Sequence, residues 1–249
     1  GPMMAVNLKM FYQMLVDRTK KELPWGSLTG IRPTKIALTR LEEGWREQDI
    51  RSFMKETYMA SDEKIDLSIE IAAREKKLLE PLDFDRGYSL YVGIPFCPTT
   101  CLYCSFTSFP ISKWTGRTGL YLEALFKELE YTAKKMQGRP LDTIYFGGGT
   151  PTALPAEDID AILCKLEQLF DKEHALEFTV EAGRPDSITE EKLKVLRDHG
   201  ITRISINPQT MNQKTLELIG RRHSVEMVKE RFIMAVELGF DNINMELIM

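Results

Sequence analysis

Three of the chain's four cysteines, Cys97, Cys101 and Cys104, fall within one eight-residue window directly after a run of strand-forming residues. Thiols crowded in this way are poorly placed for a disulfide framework, and a metal or metal cluster is the arrangement that uses all three together. Two structural disulfides are the weaker alternative, because Cys101 and Cys104 share one short loop and Cys164 stands alone in a helical pattern. As an unpaired cysteine beside an apolar stripe, Cys164 reads as a small packed residue.

The window itself is Cys97-Pro98-Thr99-Thr100-Cys101-Leu102-Tyr103-Cys104. A [4Fe-4S] cluster has four irons and usually takes four thiolates, so three cysteines leave one iron open to a substrate or cofactor. S-adenosylmethionine (SAM) suits that iron, since its amino and carboxylate groups can chelate it. The competing reading is zinc held by three thiolates and a histidine. Zinc sites more often show paired C-x(2–4)-C units, and the possible fourth ligands His174, His199 and His223 have no particular spacing. His199 lies beside Gly200 at an expected helix end, where a protonated ring favours the helix dipole without any metal.

Pattern divides the chain into a helical region, 1–86, and an α/β core, 87–249. In the first region, 6–22 carries Leu8, Phe11 and Leu15 on one helical face, Pro33 suits a first turn, and Asp49 and Ser61 are expected caps. The connector between the first two helices contains Pro24, Trp25, Gly26 and Gly30, with Trp25 expected to anchor it by burial. In the core, 89–94, 142–146, 177–181, 202–207 and 242–248 read as strands, alternating with helices such as that carrying Leu122, Leu125, Phe126 and Leu129. Thr189 is an expected helix cap and Gly200 a stop. Such alternation predicts parallel strands, with the chemistry at their C-terminal ends.

No apolar run approaches the roughly 18 residues of a membrane helix, so no membrane span is expected. A formal charge of -4 and a pI near 5.6 give no general attraction to nucleic acid, which is not an expected partner. Gly1-Pro2 reads as the remnant of a removed tag, nothing at that end resembles a signal peptide, and the cytoplasm is the expected compartment.

Tyr91-Val92-Gly93-Ile94-Pro95-Phe96-Cys97, with the C-x3-C-x2-C loop, resembles the signature of the oxygen-independent coproporphyrinogen III oxidase family within the radical SAM superfamily. Ile144-Tyr145-Phe146-Gly147-Gly148-Gly149-Thr150-Pro151-Thr152 resembles that family's glycine motif, and Val180-Glu181-Ala182-Gly183-Arg184-Pro185-Asp186 together with 23–34 looks most like its HemZ-type branch. The resemblance implies an α/β fold, a partial (β/α)6 radical SAM barrel with five strands present, after a helical N-terminal region. Because 242–249 reads as an unfinished strand pattern, the chain is expected to be truncated before the last strand, leaving an exposed edge.

The resemblance also implies site roles. Cys97, Cys101 and Cys104 hold the [4Fe-4S] cluster, and Tyr91 places a hydroxyl near SAM or substrate. Tyr103 touches the adenine through its backbone, while Gly147 to Gly149 permit a backbone approach that a Cβ would block, so that carbonyls there accept from the SAM ammonium, with Gly148, Gly149 and Thr150 as cofactor contacts. Glu181, Gln209 and Arg221 contact the cofactor, Arg221 reaching its carboxylate with Arg222 as a rival, and Glu246 stands where the family carries aspartate. The implied reaction is oxidative decarboxylation of two propionates of coproporphyrinogen III to vinyl groups. A 5'-deoxyadenosyl radical abstracts the hydrogen, with a flavodoxin or ferredoxin as electron donor and a tetrapyrrole as substrate. Haem-binding chaperones and haem-directed methylases of the same superfamily are the alternatives.

Overall fold

The computed structural model describes residues 2–29 and 32–248. It divides into two compact units, Gly1–Leu82 and Asp83–Met249. In the first, helices α1 (Pro2–Thr19), α2 (Thr34–Glu42), α3 (Glu47–Tyr58) and α4 (Asp62–Leu79) follow one another. Ile50, Met54, Ile65, Ile69 and Ala72 meet Ala37 and Leu38 in its core.

Several local expectations for this unit change. On α1 the buried aromatic is Tyr12, whereas Phe11 and Leu15 are exposed. Tyr12 turns inward because its hydroxyl accepts a 2.7 Å hydrogen bond from the Leu23 amide, tying the helix to the connector. Trp25 is only half-buried. The connector is fixed instead by Ser27, whose amide donates to Tyr58 O at 2.7 Å, and by Gly26, where a Cβ would sit 2.0 Å from the same carbonyl. Ser61 caps α4 as expected, accepting from the Lys64 amide. Asp49 is no cap, since Arg46 occupies that position and Asp49 lies in the first turn, paired with the Arg46 guanidinium at 2.8 Å.

The second unit is built on a parallel five-stranded sheet of β1 (Tyr88–Ile94), β4 (Leu141–Gly148), β5 (Glu177–Gly183), β6 (Arg203–Ile206) and β7 (Ile243–Asn244), in that spatial order. Each strand of this sheet lies beside the sheet strand that precedes it in sequence, the winding of a barrel rather than of a doubly wound sheet. Helices α5 (Thr118–Lys135), α6 (Ala156–Leu169), α7 (Glu190–Asp198), α8 (Gln213–Leu218) and α9 (Val225–Glu237) make the crossovers. Thr189 caps α7 by accepting from Lys192 N, and Gly200 takes a positive φ of 72° just past its end.

Strand parity positions the site. Leu90, Val92 and Ile94 of β1, Ile144 and Phe146 of β4, Phe178 and Val180 of β5, and Ile204 and Ile206 of β6 are buried in one apolar core. Burying each such side chain is worth roughly 1.5–3 kcal/mol, so a one-residue slip is strongly opposed. The opposite parity therefore turns Tyr91, Tyr145 and Glu181 to the other face of the sheet. A short parallel ladder, β2 (Phe96–Cys97) with β3 (Phe109–Pro110), brackets the cysteine loop and is not evident in the sequence pattern.

The expected strand over 242–248 shrinks to β7, followed by an isolated bridge from Gln209 to Leu247. Its neighbour β6 is only four residues long, and Pro208 beyond it has no amide to continue the ladder.

Candidate cluster and cofactor site

A cavity of about 430 Å³ opens at the C-terminal ends of the strands, and all three clustered cysteines line it. So do Tyr91, Tyr103, Gly148, Gly149, Thr150, Glu181, Gln209, Arg221 and Glu246. Residues spread over 156 positions of sequence thus meet in one hollow: Tyr91, Gly148 and Glu181 belong to strands of the parallel sheet, Gly149, Thr150, Gln209 and Glu246 follow strand ends, the cysteines and Tyr103 lie on the segment that starts at Phe96, and Arg221 follows α8.

Cys97 ends β2 and is buried, its sulfur 3.5 Å from the Thr150 hydroxyl. Burial pushes its thiol pKa up, with the hydrogen bond to Thr150 working the other way. The loop beyond it is pinned on several sides. Leu102 N donates to Ile219 O at 3.0 Å, Thr99 Oγ1 to Gly220 O at 3.2 Å, and Cys104 N to Cys101 O at 3.1 Å. Arg184, at the exit of β5, donates through Nη1 to Thr99 O at 2.9 Å and to Thr99 Oγ1 at 2.6 Å.

Cluster and zinc make different demands on sulfur spacing. A single zinc with ligand sulfurs at about 2.3 Å holds them roughly 3.8 Å apart. The three sulfurs here do not all lie within 4.8 Å of one another, and none of His174, His199 and His223 lines the cavity. Three thiols with no histidine in the cavity are the donor set of a four-iron cluster with one iron left open.

The glycine motif also has a packing role. A Cβ on Gly148 would point at the Ile94 backbone, 3.0 Å from its carbonyl oxygen, and the residue holds a φ of 107°. One on Gly149 would lie 2.6 Å from Phe96 O and 2.9 Å from Cys97 Sγ. The missing side chains therefore let the end of β4 close against β1 and the Cys97 loop, while both glycines line the cavity. Gly149 N donates to Ile94 O at 2.8 Å and Thr150 N to Phe96 O at 2.7 Å across this seam.

On the β5 side, the Tyr145 hydroxyl donates to Glu181 Oε1 at 2.5 Å, and its ring stacks on Tyr91 with centroids 5.8 Å apart. Burial raises the Glu181 pKa, and the Glu246 carboxylate adds to the effect against the Tyr145 hydrogen bond. On the β6 side, Arg221 is buried and donates through Nη1 to Asn207 O at 2.6 Å and through Nη2 to Tyr103 OH at 3.2 Å. Arg222 is exposed. Gln209, at a φ of 65°, donates its amide to Glu246 O at 2.9 Å and its side chain to Glu246 Oε2 at 3.2 Å.

Asn207 and Arg221 both line this cavity, and each has a buried atom without a hydrogen-bond partner, Asn207 Oδ1 and Arg221 Nε. A buried acceptor and a buried cationic donor left unpaired are costly unless a ligand carrying both signs of polarity completes them. The amino acid end of SAM has that chemistry, so the donor set fits the group.

Sequence reading missed Arg184, Asn207 and Tyr145. The first two lie just beyond strand ends, where position after the sheet was the available signal, and for Tyr145 the signal was its shared strand parity with Gly147. Cys164 lies away from the cavity on α6, 3.8 Å from Asp160 Oδ2 and 4.0 Å from His199 Nε2. Burial opposes charge on His199, but the Asp160 and Glu167 carboxylates, at 2.9 and 3.1 Å, outweigh it and raise its pKa. His223 is fully buried and pulled down to about 4 by burial and then by Arg221. Among the described residues, no helix is long and apolar enough to cross a membrane.

Comparison with known proteins agrees with this geometry. The chain is 42% identical over 243 residues to the oxygen-independent coproporphyrinogen-III oxidase-like protein HemZ of Bacillus subtilis (strain 168), covering 96% of this chain and 48% of that protein. It is 39% identical over 160 residues to the heme chaperone HemW of the same organism, covering 64% of this chain and 41% of the relative. The solved structure of coproporphyrinogen III oxidase (HemN) from Escherichia coli superposes with a TM-score of 0.60 at 30% identity, over 69% of this chain and 40% of that one. The chain spans about half the length, or less, of these curated relatives. Residues 91–249, which include most of the sheet and the whole cavity, match the radical SAM superfamily, and the chain belongs to that superfamily, in its HemZ, HemW and HemN group.

Proposed function

We propose that Cys97, Cys101 and Cys104 hold a [4Fe-4S] cluster with one open iron, that SAM lies between it and the strand ends, and that the whole protein oxidatively decarboxylates the propionates of coproporphyrinogen III. The observation that carries the reading is the convergence of three thiols with Glu181, Arg221 and Asn207 in one cavity. Bound there, the pair supplies one-electron reductive cleavage of the SAM sulfonium and a carbon radical able to abstract hydrogen.

The chain's own residues do the rest. Arg221 offers Nε and its charge to a carboxylate, and Asn207 Oδ1 offers an acceptor to an ammonium. Tyr145 holds one Glu181 oxygen and leaves the other free to accept from a ligand. Tyr91, stacked on Tyr145, covers the same side of the cavity. A flavodoxin or ferredoxin as external electron donor belongs to the same proposal.

The test is anaerobic reconstitution with iron and sulfide. About four irons per chain are expected, lost from Cys97→Ala, Cys101→Ala and Cys104→Ala and retained in Cys164→Ala. Stoichiometric zinc with no iron uptake would overturn the cluster. For the reaction, the whole protein is incubated anaerobically with SAM, reductant and coproporphyrinogen III, and vinyl product is expected alongside 5'-deoxyadenosine. Tight haem binding with no vinyl product would instead favour the chaperone role that the name of the HemW relative carries.

A further inference from the structure

Arg184 is among the most buried charged side chains of the chain, 3% exposed, and the proposed SAM contacts do not use it. Its guanidinium is shared between two partners. Nε and Nη2 meet Asp186 Oδ1 and Oδ2 at 2.9 and 2.6 Å, a two-point ion pair, while Nη1 turns the other way into the cysteine loop. There it holds both the carbonyl and the hydroxyl of Thr99 and comes within 4.0 Å of Cys101 Sγ. The pair is thus a fixed dipole, its cationic end against a cluster ligand and its anionic end away from it.

We propose that Arg184 is a positioning residue that also biases the cluster toward its reduced state, with Asp186 setting how much of the charge is felt. The proposal rests on the cluster reading above. A thiolate-bound cluster gains one negative charge on reduction, and a nearby cation in a water-poor site stabilises that form more than the oxidised one. Asp186 cancels part of the field, so the two residues pull the potential in opposite directions. A side chain that merely stapled Thr99 in place would have no such signature.

The geometry also gives the dipole little room to relax. Thr99 Oγ1 passes the contact on to Gly220 O at 3.2 Å, and the Asp186 side chain is itself largely buried, at 15% exposure. The planar fork of arginine reaches both partners at once, which the point charge of lysine cannot do.

The experiment uses the full chain, reconstituted anaerobically, with iron counted and the cluster's midpoint potential found by a reductive titration followed by electron paramagnetic resonance. Relative to the parent chain, Asp186→Asn is expected to raise the potential, because it removes the countercharge and keeps the shape. Arg184→Gln is expected to lower it, with an electron affinity about tenfold weaker, which for a one-electron couple is about 59 mV. Arg184→Lys keeps the charge and loses the fork, so its potential stays near that of the parent while its iron is lost faster to a chelator.

Loaded Asp186→Asn and Arg184→Gln chains with the parent's potential would overturn the proposal. If Arg184→Gln takes up no iron, Asp186→Asn decides alone: a rise supports the proposal, an unchanged or lower potential overturns it. Loss of iron from Asp186→Asn also overturns it, since the pair would then be an element of the fold. A parent chain that takes up no iron removes the cluster itself, a result distinct from a loaded chain whose potential ignores both substitutions.

Discussion

Gly149 lies so close to Cys97 that a Cβ on it would come within 2.9 Å of the sulfur, with Phe96 O nearer still at 2.6 Å. The second of these atoms is backbone and cannot swing aside. Gly149→Ala is therefore expected to push β2 away from the end of β4, costing about 1–3 kcal/mol as an overpacked core site does. Iron content after reconstitution should fall below half that of the parent, along with the melting temperature. Gly119→Ala is the control, because its Cβ meets nothing within 4 Å in the first turn of α5. Normal iron uptake and melting in Gly149→Ala would contradict the reading.

The Glu181 pKa is raised chiefly by burial, so the folded chain binds this proton more tightly than the unfolded chain. Stability from this group is then greatest below the ordinary glutamate pKa of about 4.3, and it is lost as pH rises through the folded value. Glu181→Gln keeps an oxygen for the Tyr145 hydroxyl and removes the ionisation. The variant without cofactor is expected to be more stable than the parent at pH 7, by a margin that shrinks as pH drops through the carboxylate range. Its SAM affinity should fall in the same protein. Urea unfolding at two pH values checks the first part, and a margin independent of pH would refute it.

The sheet and the cysteine and glycine motifs are legible in the sequence because each is local. Alternation shows in Leu90, Val92 and Ile94, and eight consecutive residues contain all three clustered thiols. What is not legible depends on pairing between distant segments. Arg184 acts on Thr99 across 85 residues, and Tyr145 on Glu181 across 36. No periodicity announces either contact. The overextended reading of 242–248 has the same origin, since the length of β7 is set by the short β6 and by Pro208 rather than by its own alternation. On α1, similarly, the tie from Tyr12 to Leu23 decides which side turns inward, against the apolar stripe.

Thr152 follows the glycine motif and is fully buried, its hydroxyl donating to Ala182 O at 2.6 Å and meeting Ser187 Oγ at 2.6 Å. It thereby fastens the segment after β4 to the exit of β5, which carries Glu181 and Arg184. Thr152→Val keeps the volume and leaves these buried partners short of a hydrogen bond, for a loss of about 1–3 kcal/mol. Thr152→Ser keeps the hydroxyl and should lose less. Chemical denaturation of both variants decides, and equal losses would assign the effect to packing of the methyl group instead.

Arg221 and Arg222 are adjacent in sequence and differ in surroundings, which makes them a test of the proposed carboxylate contact. Arg221 lines the cavity and is buried, with Nη1 on Asn207 O, Nη2 on Tyr103 OH and a buried Nε without a partner. Arg222 is exposed. Lysine at 221 preserves the charge but cannot span Asn207 and Tyr103 while also presenting a donor to a ligand, because it has no planar fork. A lost charge-assisted hydrogen bond of roughly 1.5–3 kcal/mol corresponds to about 10–100-fold in affinity. Arg221→Lys is therefore expected to load iron normally and to bind SAM that much more weakly by anaerobic calorimetry. Arg222→Ala, away from buried partners, should change the binding free energy by no more than about 0.5 kcal/mol. The reverse pattern, with SAM affinity lost at 222 and kept at 221, would move the carboxylate contact to the exposed residue and leave the unpaired Arg221 Nε without a ligand to explain it.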